Sequence, residues 1–371
     1  MRVLNFGTYE RAYPRNAQVA ACLRRAGVEV VERHIPVWES QEHKWDVGPA
    51  SALRLLAAEL RLLAPPRVAF DVLRVGYPGH LDMAAAKLAA RGRPIVFDPL
   101  LSLYDSFVAD RGRFAPGSLP ARLLEKIDRG ALRLADLVIA DTSAHADYLA
   151  ELGRIPRTKV AVCLVGAEER LFQPPAAGDP ALVPLPGSAD APFTALFVGK
   201  LIPLHGLETI VAAARLAPEI RFRLVGSGQL EHLLADAPAN VERVAWVPYA
   251  ELPAELWRCG CALGVFGTSD KALRVIPNKA YQALACGTPL VTAGTPGSRE
   301  LLVDGESALL VPPGDPAALA TAVRRLATDP ALRSRIAAGG LAAYQAHAGE
   351  DVLGARWKAL LEDLVAGRAV E

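Results

Sequence analysis

What this 371-residue sequence has little of narrows its function first. Only 6% of its residues are aromatic and its formal net charge is +1. Neither a base-stacking platform nor a basic patch therefore argues for nucleic acid. No run approaches the roughly 18 consecutive apolar residues of a membrane-spanning helix. The N-terminal Met-Arg-Val-Leu-Asn-Phe-Gly lacks the layout of a signal peptide. A cytoplasmic setting without a transmembrane segment is expected. The cysteines, Cys22, Cys163, Cys259, Cys261 and Cys286, are odd in number and scattered. Cys259-Gly-Cys261 is too tight for the usual zinc pair and has no second pair, so it reads as buried apolar filling. The Gly-x-x-x-x-Gly-Lys-Ser/Thr loop is absent and the full Gly-x-Gly-x-x-Gly pattern is not met, which argues against simple ATP or NAD binding.

What is present is the composition of a folded protein, 51% hydrophobic and 22% charged. The length suggests two domains. Val3–Phe6 is a short apolar run ending at Gly7; Pro14 then opens a helical pattern carrying Val19, Cys22 and Leu23, and Gly27 closes it before Val28–Val31. Strand, glycine turn, helix and strand make a βαβ unit, hence a parallel sheet. The alternation continues through helix 53–63, strand 68–75, helix 81–90, strand 95–97, helix 123–134 and strands 137–140 and 160–164. Pro174–Pro192 has no apolar period and reads as a linker. A second doubly wound set follows: strands 194–198, 221–225, 241–247, 261–266 and 290–293, with helices after each turn. The expected division is an N-terminal domain over 1–173, a linker over 174–192 and a C-terminal domain over 193–349.

In such sheets ligands lie beyond the carboxyl ends of the strands. The candidates in the first half are Gly7, Thr8, Glu10 and Arg11, then Gly76 and Tyr77, Asp98, and Asp141 with Thr142. Asp98 follows a buried strand and precedes Ser102 and Tyr104. A helix cap or a solvated loop acid are its other readings. Residues 106–122 carry Arg111, Arg113, two glycines and two prolines, and read as a long mobile loop. In the second half Gly199-Lys200 and Gly226-Ser227-Gly228 are glycine turns where backbone can approach a diphosphate, although tight strand–helix turns need glycine in any case. The stretch Arg274-Val-Ile-Pro-Asn-Lys-Ala-Tyr-Gln-Ala-Leu-Ala-Cys-Gly-Thr-Pro-Leu-Val291 reads as loop, short helix, glycine stop and buried strand. Pro277 suits its first turn, Asn278 can cap its amides, and Arg274 and Lys279 flank its positive end. That is an anion-binding arrangement, or else an ordinary connection with two solvated cations.

Taken in order, these elements resemble the retaining GT-B glycosyltransferases of family 4, the glycosyl transferases of group 1. The residues that carry the resemblance are Gly7, Ala135-Asp136, Gly199-Lys200 with His205-Gly206, Gly226-Ser-Gly228, Pro277-Asn-Lys279 through Gly287-Thr-Pro289, and Gly297-Ser-Arg-Glu-Leu301 with Asp304-Gly305. They span nearly the whole chain. The resemblance implies an α/β protein of two Rossmann-like doubly wound domains facing a central cleft. It places the acceptor on the first domain, the nucleotide sugar on the second, and the final helix, 350–371, back on the first.

In the family the glycine turn is commonly followed by Arg and, five residues on, Lys, both on the donor diphosphate. Here these positions hold Lys200 and His205, and a histidine is cationic only part of the time near neutral pH. Donor affinity is therefore expected to fall above about pH 7. The family's two glutamates, one for the donor sugar and one for the ribose, align with Arg274 and Gln282. Gln282 can still hydrogen-bond ribose hydroxyls, whereas Arg274 would pair with the diphosphate or an acidic sugar group. Asp98 lies near where relatives place a histidine close to the donor sugar, and is a candidate for sugar contact or acceptor activation.

The resemblance thus implies transfer of a sugar from a nucleoside diphosphate sugar to an acceptor hydroxyl, with retention. Lys200, His205, Arg274 and Asp98 would be the catalytic group. Gly199, Gly226, Ser227, Gly228, Val247, Pro277, Asn278, Lys279 and Gln282 would hold the donor, and Gly7, Thr8, Glu10, Arg11, Ser102 and Tyr104 the acceptor. No cofactor or essential metal is implied, and the chain has no Asp-x-Asp triad. Three alternatives stand beside this reading: a nucleotide-sugar epimerase, a non-catalytic nucleotide-sugar binder, and a peripheral membrane enzyme using the apolar and basic residues 100–133.

Overall fold

The computed structural model describes residues 1–37, 49–176 and 192–368, with backbone alone for residues 49–52. In chain order the elements are β1 (Arg2–Gly7), α1 (Pro14–Arg25), β2 (Glu29–His34), α2 (Pro49–Leu62), β3 (Val72–Val75), α3 (Asp82–Ala90), β4 (Ile95–Phe97), α4 (Leu119–Leu134), β5 (Leu137–Ala140), α5 (Ser143–Gly153) and β6 (Val160–Val162). They continue with β7 (Thr194–Val198), α6 (Leu207–Leu216), β8 (Arg221–Val225), β9 (Val241–Val244), α7 (Leu252–Arg258), β10 (Cys261–Leu263), α8 (Asp270–Arg274) and α9 (Asn278–Ala285). The chain ends with β11 (Leu290–Ala293), β12 (Leu309–Val311), α10 (Pro316–Thr328), α11 (Pro330–His347) and α12 (Glu350–Val365). Two compact units result, Met1–Val165 with Glu350–Glu371, and Gly166–Gly349. Most of the expected linker, residues 177–191, lies outside the described residues.

Among the described residues, each unit holds a six-stranded sheet, ordered β2-β1-β3-β4-β5-β6 in the first and β12-β11-β10-β7-β8-β9 in the second. Every pairing is parallel. Parallel strands are covered on both faces, so they consist of near-continuous apolar runs. β3, β4, β5, β10 and β11 are buried along their whole length. Strand order reverses at β1/β3 in the first unit and at β7/β10 in the second. Crevices at the carboxyl ends of those strands are where such sheets take ligands.

Several local expectations shift. The stretch read as a mobile loop starts as a wide helical turn, Asp105–Asp110, and α4 begins at Leu119, capped by Ser118 Oγ on the Ala121 amide. After β8, where a helix is expected to follow the turn, residues Glu231–Leu234 form only a short tight turn. β3 starts at Val72 rather than residue 68.

The first unit is locked by a buried ionic cluster. Asp98, at the end of β4, is 1% exposed and meets Arg15 of α1 at 3.1 Å and Arg74 of β3 at 2.6 Å. Arg15 also donates to the carbonyls of Leu164 and Cys163. Both guanidinium groups lie over the ring of Trp357 in α12, at 5.7 and 5.5 Å. Gly354 brings α12 onto α1, since a Cβ there would come within 2.5 Å of the Cys22 carbonyl oxygen. Burial pushes the Asp98 carboxyl up, but Arg15 and Arg74 outweigh it and hold it below its ordinary value. This corrects the expectation for Asp98. Its carboxylate is enclosed by two cations of its own unit and is not presented to a sugar or an acceptor.

Candidate functional site

The second unit's reversal point assembles most of the expected donor residues. Gly199 ends β7 with φ +150, and its amide donates to the Val225 carbonyl, 2.9 Å. Gly226 has φ +146, and a Cβ there would lie 1.9 Å from the Gly199 carbonyl oxygen. Gly228 is crowded by Leu201 in the same way, and the Leu201 amide donates to the Ser227 carbonyl. The turns after β7 and β8 are therefore stacked backbone on backbone, and no side chain fits between them. Gly206, at φ +67, closes against the backbone of Phe266 and Gly267 beyond β10, where a Cβ would approach within 2.5 Å. The Phe266 amide donates to the His205 carbonyl, 3.1 Å.

Side chains converge on the rim so formed. The His205 ring packs edge-on against Phe197 at 5.4 Å, and its Nδ1 lies against the Lys200 carbonyl. A carbonyl only accepts, so Nδ1 carries the hydrogen. Lys200 itself is exposed. From α9 the Lys279 ammonium reaches the same place. It sits 3.8 Å from the centre of the Phe197 ring and 2.9 Å from where a Gly199 Cβ would be, with His205 Cε1 3.3 Å from that point. Its nitrogen is buried and has no hydrogen-bond partner among the described residues, and burial drives its pKa well below the ordinary lysine value.

The anion-binding stretch is built somewhat differently from its expected form. Pro277 occupies the capping position with extended backbone, Asn278 is the first helical residue, and no side chain caps α9. The Asn278 cap is thus corrected: a cap must precede the helix, and the residue that does so is a proline. Arg274 ends α8 and is half-buried. The 294–297 loop rests on its backbone, with the Gly297 amide donating to the Leu273 carbonyl at 3.0 Å. Gln282 is buried, and its amide donates to the Tyr249 hydroxyl at 3.3 Å. Tyr249 packs against Phe172, and burial and then Glu168 raise its pKa. Val247 is half-buried on the segment leaving β9, beside the exposed Trp246.

The first unit's reversal point places the expected acceptor residues unevenly. Gly7, at φ +126, faces Asp82 of α3, whose carboxylate accepts from the Thr8 amide at 2.8 Å and the Thr8 hydroxyl at 2.9 Å. Burial, and then its bond to Asp82, push the neighbouring Glu59 carboxyl up to about 9. Asn16 ties the Glu10 and Tyr77 carbonyls together at 2.8 and 2.6 Å. Glu10 is buried, and the exposed Arg11 lies 3.8 Å from Glu32. Ser102 is corrected. It is 1% exposed and its hydroxyl donates to Asp128 at 2.7 Å, so it secures a loop rather than facing a ligand. Asp128 also accepts the amides of Leu103 and Tyr104 and faces His80 at 3.3 Å. The Tyr104 side chain is half-buried. Asp141 pairs with His145, and Thr142 caps α5 through the His145 amide. Sequence reasoning missed Asp82 and Asp128, because their partners lie 74 and 24–26 residues away. It counted Lys279 for its flanking charge and the amides beside it, whereas the side chain is what reaches the rim.

Two doubly wound units, each with glycine turns at its reversal point, define the GT-B class. The family described as "Glycosyl transferases group 1" matches residues 192–329, and that described as "Glycosyl transferase 4-like domain" matches residues 4–166. A D-inositol 3-phosphate glycosyltransferase from Frankia alni is 32% identical over 341 residues, covering 84% of this chain and 79% of that protein. Another of that name, from Thermomonospora curvata, is 31% identical over 230 residues, covering 56% of this chain and 52% of that protein. The chain thus spans about half the length of some curated relatives it matches. Among solved structures, sucrose-phosphate synthase from Thermosynechococcus elongatus superposes with TM-score 0.74 at 19% identity, over 99% of this chain and 100% of that one. Anabaena HepE in complex with UDP-glucose gives 0.68 at 17%, over 98% and 100%. At those identities the likeness establishes the fold. The chain belongs to the group 1 glycosyltransferases.

Among the described residues no helix is long and apolar enough to cross a membrane, and no group of three or more His, Cys, Asp or Glu is placed to hold a metal.

Proposed function

We propose that this protein transfers a sugar from a nucleoside diphosphate sugar to an acceptor hydroxyl, with retention at the anomeric carbon. The observation that carries the reading is the rim at Gly199, where close-packed glycine turns, His205 and the unpartnered Lys279 ammonium meet at the reversal point of a Rossmann-like sheet. As the glycosidic bond loosens, negative charge grows on the leaving diphosphate. Lys200, His205, Arg274 and Lys279 stabilise that charge more than they stabilise the bound donor, which is what accelerates transfer. Solved neighbours include a protein crystallised with UDP-glucose, which supports a nucleotide-sugar donor. The acceptor binds the first unit near the exposed Arg11 and the half-buried Tyr104. The cations present take the place of a metal, so EDTA leaves the rate unchanged.

The test is incubation with UDP-, GDP-, dTDP- and ADP-sugars and a panel of polyol and sugar-phosphate acceptors, followed by mass spectrometry. A product one glycosyl unit heavier than its acceptor, with free nucleoside diphosphate, is expected; NMR of its anomeric proton reads retention. Arg274 and Gln282 leave both glutamate positions without a carboxylate, which favours a second reading, a non-catalytic nucleotide-sugar binder. Donor binding with neither hydrolysis nor transfer would support that one.

A further inference from the structure

Among the described residues Lys279 has no counter-charge. Its ammonium is buried over the Phe197 ring with no hydrogen-bond partner among the described residues. The groups around it come from five elements. β7 brings Leu196, Phe197 and Val198, β10 brings Ala262 and Leu263, and α7 brings Leu252 and Leu256. The turn after β7 brings His205, and α9 itself brings Gln282, whose amide is bound to Tyr249. The carboxylate of α7, Glu255, is engaged with Arg223 at 2.7 Å. α11 meets the far end of α9, where Leu284 approaches Gly340. Among the described residues no carboxylate pairs with Lys279, and the imidazole of His205 beside it is not an anion.

An ammonium taken out of water without a partner loses several kcal/mol of solvation, whereas an aromatic face returns about 2 kcal/mol at most. The imbalance favours the neutral amine, in line with the direction in which burial moves this lysine. A diphosphate seated at the Gly199 rim would reverse the balance by supplying the missing negative charge. Resting on the donor reading above, we propose that Lys279 is largely an uncharged amine in the free protein and takes up a proton as the donor diphosphate binds. The proton comes from solvent and stays on Nζ while the diphosphate is present. The lysine thereby acts as a positioning charge that is switched on by its ligand, and the free site does not attract small anions indiscriminately.

Isothermal titration of the full chain with UDP, GDP, ADP and dTDP at pH 8, in phosphate and in Tris, tests this. The two buffers differ in ionisation enthalpy, so proton uptake appears as a difference in observed heat. For the nucleotide that binds, net proton uptake is expected, read as unequal heats in the two buffers. Lys279→Arg, which stays charged at any accessible pH, should bind with no buffer dependence, while His205→Gln should retain it. Equal heats in both buffers, or a buffer dependence that survives in Lys279→Arg and Lys279→Met, would overturn the proposal while leaving the donor reading standing. No heat from any of these nucleotides would remove both.

Discussion

Replacing Asp98 by asparagine separates a structural from a catalytic account of the residue most exposed to misreading. The carboxylate is 1% exposed and is the shared partner of Arg15 and Arg74. Removing one member of a buried ion pair costs about 3–5 kcal/mol, because the remaining charges stay buried without compensation. Asparagine keeps the shape and one acceptor, so the lower end, about 3 kcal/mol, is expected. For a unit of this size each kcal/mol moves the midpoint by about 2–4 °C, which gives a fall of about 6–12 °C. The depressed carboxyl makes the sign of the pH dependence definite. Its contribution is complete above the unfolded value of about 3.9 and is lost as pH falls through the lower folded value. The gap between wild type and Asp98→Asn should therefore be constant from about pH 5 to pH 8 and close only in stronger acid. Differential scanning fluorimetry across that range reads both quantities. A variant that melts within a degree or so of wild type but has lost turnover would refute the reasoning and return Asp98 to the chemistry.

Two further outcomes follow from the same geometry. Gly226→Ala places a Cβ 1.9 Å from the Gly199 carbonyl oxygen at φ +146, a strain of about 1–3 kcal/mol before the overlap is relieved; nucleotide affinity should fall about tenfold or more by titration, and wild-type affinity would contradict the stacked-turn description. Asp128→Asn retains only one of the oxygens that accept Ser102, Leu103 and Tyr104; hydrogen exchange at the Leu103 and Tyr104 amides should accelerate, since local opening loses its anchor, while exchange in α9 stays unchanged.

Much of the fold was legible in the sequence, because parallel strands must be apolar on both faces and the turns after them need glycine. Val3–Phe6 ending at Gly7 and Thr194–Val198 ending at Gly199 became β1 and β7 nearly residue for residue. Short elements were harder. β12 and α7 have three and seven residues, too few to show a period, and residues 229–234 carry apolar spacing that a tight turn satisfies equally well. The site was legible where chain-local geometry sets it, at Gly199, Gly226, Gly228 and Gly206. It was not legible where charges meet across the sheet. Asp98 reads as a strand-end acid, and nothing near it in sequence announces Arg15, 83 residues away. Gln282 reads as an available amide, but Tyr249, 33 residues away, engages it. Lys279 reads as a cation flanking the positive end of a helix, and only the folded unit turns its ammonium onto Phe197 and Gly199.

The most direct measurement of the central claim is a thermal-shift panel of UDP-, GDP-, dTDP- and ADP-sugars. A ligand present at a hundred times its dissociation constant stabilises the folded state by about 2.7 kcal/mol, or about 5–11 °C for a unit of this size. A rise of that order is expected for at least one donor, lost in Gly226→Ala. If none of these nucleotide sugars moves the midpoint, the rim at Gly199 is not a donor site and the proposed transfer fails with it.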